Sequence, residues 1–410
     1  MTICIIGAGI TGLTAGKLLS KHHEVTVCEK EPHIGGIART KSVQGITYHT
    51  VGGHCLNSKN NEVMNFIFDE VLPKEQWHSV ERNAKINFKN NFISYPIEFS
   101  IKEIARFDKE LAFNITKDFL ASEDKDTDNL AEWFEQKFGK TLAQEYFIPY
   151  NKKIWQMEPK NMSHLWIEGK LPLPNKKEFF EALIDNRQDT MPLSTFFYPN
   201  TNDQNTFIDA LGKDLKICNN FEVISIHKKD KKWIINDQFE YDLIINTMPL
   251  NIIPFVIKNV PNIIQEEAKK LKYNKVTNML WKTKLIDYTW SYYPSSDTIF
   301  HRHIHIGNFF NPKEQYTITE SMGAHSYDEM VQYGKKFDYL LEPLDYNVSD
   351  HAYVVYDQNY KHSVNIIKDY CDEIGLHTIG RFGEWEYYNM DICMESAMKL
   401  VDKINNTMNV

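Results

Sequence analysis

The sequence predicts an α/β protein in which a parallel sheet opens the chain, is interrupted by a helical segment and an antiparallel sheet, and is completed some 200 residues later. Three observations carry this. An apolar strand runs without a break into Gly7-Ala8-Gly9-Ile10-Thr11-Gly12 and then into helical spacing at Leu13, Ala15, Leu18 and Leu19. Between Ile101 and Leu183 apolar residues recur mostly three and four positions apart. From Thr195 onward, short apolar runs bounded by turn residues return.

The first forty residues organise the rest. Strand, tight turn and helix form a phosphate cradle: Gly7 permits the turn, Gly9 lets a pyrophosphate approach the backbone, and Gly12 lets the helix sit against the strand. The helix N-terminus contributes free N–H groups and partial positive charge. A second strand, Val25-Thr26-Val27-Cys28, ends at Glu29, where an acid can accept the ribose hydroxyls of an adenosine. A second glycine turn, Gly35-Gly36, leads to Arg39. Together these predict an interrupted Rossmann-like domain that binds a flavin dinucleotide, FAD, rather than a nicotinamide one.

Farther along, Ile46–Val51 reads as a strand ending in Gly52-Gly53-His54, with a helix from about Asn61 to Val71. The alternation from Lys85 to Tyr95 predicts a hairpin centred on Asn90-Asn91. The acidic patch Glu123–Asp128 is expected as a solvated loop between helices. Later strands are expected at Phe196–Tyr198, Phe221–Ile226, Lys232–Ile235, Leu243–Thr247, Val276–Ile304 and Ala352–Tyr356. Helices are expected at about Gln204–Leu215, Ser363–Ile374 and Asp391–Ile404. The resulting division assigns 1–60, 196–250 and 375–410 to the FAD-binding domain, 61–84 and 100–190 to an inserted helical domain, and 85–99 and 251–374 to an antiparallel β-sheet substrate domain.

Composition narrows the function class. With 46 basic and 55 acidic residues the net charge is −9, which argues against nucleic acid or anionic membranes as partners and leaves small ligands open. The six cysteines show no metal-ligand or disulfide spacing, and no metal is expected. A first strand at residue 2 leaves no room for a signal peptide, and no apolar run approaches membrane-spanning length, so a cytoplasmic protein is expected. The sequence leaves the oligomeric state open, a homo-oligomer included.

Beyond the first forty residues, several motifs occur in a fixed order. They are Val51-Gly52-Gly53-His54, Pro149-Tyr150-Asn151-Lys152-Lys153-Ile154-Trp155, Trp290 and Tyr292 with Arg302 ten residues on, and Gly380-Arg381-Phe382-Gly383 followed by Trp385 and Tyr387. In these the chain resembles the flavin-dependent UDP-galactopyranose mutases, closer to their eukaryotic-type members. The resemblance implies an isomerase of polysaccharide biosynthesis that interconverts pyranose and furanose forms of a nucleotide-diphosphate sugar. Reduced FAD would be the active form, its N5 attacking the anomeric carbon, with NADPH or NADH as candidate reductants. It further implies that His54 lies against the flavin and that Arg302 closes on the substrate diphosphate.

By the same resemblance, Tyr292 and Tyr387 bind the diphosphate, and Tyr150, Asn151, Trp155 and Trp290 help hold nucleoside and sugar. Gly53, Val223, Arg381, Asn389, Met390 and Asp391 fall on the cofactor side, the last three at a helix start. Plainer readings stay open: His54 as a turn histidine, Arg302 as a hairpin charge, the tyrosines and Trp155 as core.

Three departures from the family pattern bear on the substrate. Lys170 stands where a second diphosphate-binding arginine is expected, which keeps the charge but loses the planar fork. The stretch Tyr198–Gln204 lacks the glycines of relatives, so its backbone is expected to stand farther from the ligand. In the base pocket, Tyr95 would stack on the base, but Glu98 replaces a glutamine, and an ionised carboxylate can only accept hydrogen bonds. Two other function classes therefore compete with the mutase: an FAD-dependent amine oxidase or desaturase, which the first forty residues permit equally, and a non-catalytic nucleotide-sugar binder.

Overall fold

The computed structural model describes residues 1–167, 171–184 and 194–408. The opening strand β1 (Thr2–Ile6), helix α1 (Ile10–Leu19) and strand β2 (Glu24–Cys28) begin an all-parallel sheet. Its order is His377–Thr378, Leu243–Asn246, β1, β2, Lys216–Cys218. The continuous apolar run of β1 fits a strand buried on both faces. Ile3 and Ile5 pack with α1 and the final helix Met390–Met408, whereas Cys4 and Ile6 pack with Trp233, Ile253 and Ile367 on the opposite face.

The predicted strand Phe196–Tyr198 does not join this sheet; as Thr195–Pro199 it pairs with Trp77–Glu81. Lys232–Ile235 also lies outside it, in a three-stranded antiparallel sheet with Ile226–Lys229 and Phe239–Tyr241. Of the expected strand Phe221–Ile226, only Ile226 lies in a strand, as the first residue of Ile226–Lys229. Asn236 supplies the missing ladder, its side chain accepting from the Ile224 and Ser225 amides at 2.9 and 3.2 Å and donating to the Glu222 carbonyl at 2.8 Å.

A seven-stranded sheet forms the other layer, in the order Leu340–Val355, Lys272–Thr283, Tyr316–Met322, Phe300–Ile304, Trp290–Tyr292, Ala84–Phe88, Asn91–Ser94. All its pairings are antiparallel except Trp290–Tyr292 against Ala84–Phe88. The hairpin turns at Lys89-Asn90, one residue earlier than the sequence suggests, because both residues take the left-handed conformation, at φ 50° and 63°.

Tyr316–Met322 escapes sequence patterning, and so does the strand Leu340–Val355 up to Ala352, where the expected strand Ala352–Tyr356 begins. Leu340–Val355 carries Pro343, tolerated because the pairing with Lys272–Thr283 shifts register beside it. Tyr316–Met322 places Thr317, Thr319, Glu320 and Ser321 in buried positions where apolar residues are the norm.

The helical region contains Lys109–Ala121, Leu130–Phe138 and Lys176–Ile184, the first two capped by Asp108 and Asn129 side chains. Glu123–Thr127 connects the first two as a loop. Between Lys140 and Trp155 the helix passes through a π-helical turn at Ala143–Phe147 just before Pro149, which cannot supply a backbone N–H. Among the described residues, no helix is long and apolar enough to cross a membrane.

Candidate active site

A cavity of about 760 Å³ runs along the parallel sheet from Glu29, past the glycine turn, to Gly53, His54 and Arg302. Three glycines shape its floor in different ways. A Cβ on Gly12 would lie 1.9 Å from the Gly7 carbonyl oxygen, and one on Gly7, at φ 102°, would lie 2.4 Å from the Thr247 hydroxyl. A Cβ on Gly9 would meet nothing within 4 Å, so the backbone there is open to a ligand. Gly9 also caps α1 without a side-chain hydrogen bond, which leaves the helix N-terminus for an anion.

Glu29 braces this cradle: its carboxylate accepts the Ala8 amide at 2.7 Å and the Glu31 amide at 2.9 Å. Each oxygen keeps a further lone pair for a hydroxyl donor. Gly36, Arg39 and Val223 line the same cavity, as do Asn389, Met390 and Asp391 at the start of the final helix. The floor, the acid and the free helix end fit the adenosine diphosphate half of a dinucleotide. The Arg381 guanidinium donates to the Tyr388 and Ala352 carbonyls at 2.8 and 2.7 Å and lies 4.7 Å from the Tyr387 ring centroid.

A second cavity of about 200 Å³ is an aromatic slot lined by Tyr95, Glu98, Tyr146, Tyr150, Asn151, Trp155 and Trp166. The π-helical turn and the helix Ile148–Trp155 bring Tyr146 and Tyr150 into a stack at 5.5 Å. Asn151 fixes Trp155, accepting its indole N–H at 3.1 Å while donating to the Phe147 carbonyl at 2.8 Å. The two cavities share Tyr292, Arg302, Tyr353 and Tyr387. Trp290 lines the first, its ring tilted at 50° against Phe309 with centroids 4.7 Å apart.

The electrostatics centre on Glu320. Its Oε1 accepts from Arg302 Nε at 2.6 Å and Nη2 at 2.5 Å and lies 3.0 Å from His301 Nε2, while its Oε2 accepts the Gly52 amide at 2.7 Å. Burial alone would raise this carboxyl, but Arg302, His301 and the Gly52 amide outweigh it and hold it well below the usual range. Arg302 Nη2 also donates to the Tyr353 hydroxyl at 2.9 Å. Burial, with the charges of Arg381 and Arg302, lowers His54 to about 4, so it is neutral near pH 7.

Glu98 differs from expectation. Burial pushes its carboxyl up to about 8, so it stands as a neutral acid at pH 7 rather than as a carboxylate.

Most residues singled out in the sequence line these two cavities, with three exceptions. Gly12 serves helix–strand packing from behind the cavity floor. Lys170 lies outside the described residues. The stretch Tyr198–Gln204 lines neither cavity; Asn202, at φ 58°, takes the left-handed conformation itself, its carbonyl accepting from Thr47.

Three residues were missed. Tyr353 joins the two cavities, and Arg82 lies 5.3 and 5.1 Å from the Tyr95 and Trp290 ring centroids and donates to the Tyr292 hydroxyl at 3.0 Å. Glu320 is the third; it stands among the polar residues of Thr317-Ile318-Thr319-Glu320-Ser321, which give no apolar signal of a buried strand.

The fold and cradle define a Rossmann-like dinucleotide-binding protein, and the family model for the NAD(P)-binding Rossmann-like domain matches residues 5–71. The chain resembles the UDP-galactopyranose mutase family in both sequence and fold. It is 30% identical over 168 residues to the dTDP-fucopyranose mutase of Escherichia coli, covering 39% of this chain and 43% of that protein. It is 28% identical over 166 residues to the UDP-galactopyranose mutase of Mycoplasma genitalium, covering 37% and 39% respectively. The match thus spans less than half the length of either curated relative. A crystal structure of reduced UDP-galactopyranose mutase superposes with a TM-score of 0.86 over 99% of this chain and 94% of that one, at 20% identity, a likeness of fold.

Proposed function

We propose that the chain is a flavin-dependent mutase that interconverts the pyranose and furanose forms of a nucleotide-diphosphate sugar, UDP-galactose-like in the first instance. The observation that carries the reading is the junction of the two cavities at Tyr292, Arg302, Tyr353 and Tyr387. A ligand laid through it would have a flat group in the aromatic slot, a diphosphate beside a guanidinium and three phenols, and a sugar at the mouth of the cofactor cavity near Gly53 and His54. Reduced FAD would supply the nucleophilic nitrogen, N5, that this chemistry requires.

The chain's own residues do the rest. Arg302 presents its guanidinium to the diphosphate while Glu320 holds the opposite edge, so the cation is fixed before the ligand arrives and stabilises charge as the diphosphate departs. The Tyr292, Tyr353 and Tyr387 hydroxyls add hydrogen-bond donors beside it. Neutral His54 can accept or donate one hydrogen bond at the cofactor without adding a charge.

The test is to purify the protein, establish that it carries non-covalent FAD, reduce it with dithionite and supply UDP, TDP, CDP and GDP sugars. Ring-form conversion without net consumption of reductant is the expected result. Oxygen consumption coupled to substrate would instead mark an oxidase, and binding without conversion a non-catalytic binder. Colourless protein that takes up no FAD would overturn the proposal altogether.

A further inference from the structure

Glu98 is an acid at the wall of an aromatic slot, with no counter-ion among the described residues. It is 2% exposed, none of the ion pairs found among the described residues includes it, and its Oε1 has no hydrogen-bond partner. An unpartnered carboxyl oxygen is costly to bury, and an ionised one more so. The aromatic rings around it offer stacking surface, and among the described residues the guanidinium that lines the slot, Arg302, is engaged by Glu320. The slot therefore suits a planar ring whose edge completes the acid.

We propose that Glu98 reads the nucleobase as an undissociated acid, its O–H donating to a ring acceptor while its carbonyl oxygen accepts the neighbouring N–H, as the N3–H edge of uracil or thymine allows. This rests on the nucleotide-sugar reading above and deepens it. A neutral acid offers the same donor and acceptor pair as an amide, so the replacement of glutamine preserves uridine recognition below a threshold pH and weakens it progressively above.

Among the described residues, the neighbouring titratable groups do not set that threshold. On the segments facing Glu98, the phenols of Tyr95, Tyr146 and Tyr150 are pushed far up by burial and stay protonated, and the Arg302 cation is fixed. His301 is lowered by burial and is neutral throughout. Arg82, which adjoins Tyr95, is likewise permanently charged. Lys153, lowered to about 7 by burial, holds the Tyr293 and Ser295 carbonyls on the far side of the helix Ile148–Trp155 and titrates in any Glu98 variant alike.

The experiment is equilibrium binding of UDP to the oxidised holoprotein and to E98Q between pH 7 and 9, which requires no turnover. The variant carries the base's, the diphosphate's and Lys153's own ionisation, so the difference between the two proteins reports Glu98 alone. With Glu98 at about 8, the two should bind within about threefold at pH 7, and the wild type should fall to roughly tenfold weaker than E98Q at pH 9. A constant ratio from pH 7 to 9, or an E98Q already fivefold tighter at pH 7, overturns the proposal. Infrared difference spectra of the wild type alone provide a second test: UDP should shift a protonated-carboxyl band, and its absence at pH 7 also overturns it. No UDP binding by either protein would overturn the nucleotide reading itself, whereas pH-dependent binding without turnover would sink only the mutase.

Discussion

Glu320 and Arg302 form a buried ion pair in which one carboxylate oxygen takes both Nε and Nη2 of the guanidinium, at 2.6 and 2.5 Å. The carboxylate is fully buried, so removing its charge strands a cation in the sheet. E320Q should lose about 3 kcal/mol of stability in chemical denaturation, and E320Q combined with R302Q should recover part of the loss. An E320Q protein as stable as the wild type would show that the pair does not hold this region together.

R302K should keep the flavin spectrum and lose turnover. Lysine retains the charge but cannot engage Glu320, Tyr353 and a ligand oxygen from one planar group. The loss of one charge-assisted contact, about 1.5–3 kcal/mol, corresponds to a ten- to hundredfold fall in kcat/KM. Activity within a factor of two would return Arg302 to the status of a structural cation.

The cradle glycines should separate folding from binding. G9A should fold normally, because its methyl meets no protein atom, yet take up FAD at least tenfold more weakly if the pyrophosphate approaches there. G12A should be destabilised outright, since its methyl collides with the Gly7 carbonyl. Thermal melts of the apo and FAD-loaded forms read both effects, and equal FAD affinity for G9A and the wild type would place the pyrophosphate elsewhere.

Acid should unfold the protein early. His49, His54, His303 and His305 are buried and lowered chiefly by burial, His54 to about 4 and His305 to about 3. The unfolded chain binds protons at these sites near pH 6.5 while the folded one does not. Stability contributed by their neutrality is therefore complete above that pH and lost as pH falls below it. Denaturation midpoints at pH 7 and pH 5 check this; a flat profile would mean that these histidines titrate as in free peptides.

The sequence was most informative where backbone needs dictate residue type. The glycine cradle, the strand β1 and the acid at Glu29 follow from sterics and dipoles that act locally, and they are found where the pattern puts them. Patterning failed where polar side chains occupy sheet interiors. Tyr316–Met322 hides behind its buried threonines and Glu320, whose partners Arg302, His301 and Gly52 come from other parts of the chain. Phe221–Ser225 failed for the opposite reason: its apolar residues promise a strand, but the Asn236 side chain satisfies the amides that a neighbouring strand would have taken. The state of Glu98 was hidden too, because charge depends on surroundings that sequence spacing does not reveal.

The parallel sheet is assembled from both ends of the chain. The strand beside β1 is supplied by Leu243–Asn246, the next by His377–Thr378, and the apolar face of α1 is covered by Met390–Met408. During synthesis, residues 1–28 must therefore wait for His377–Thr378 and Met390–Met408 before the cradle has its walls, with the apolar flank of α1 uncovered until then. The segment that looks most complete in the sequence is thus among the last to be finished, and chain termination upstream of Met390 would leave the apolar flank of α1 without its cover.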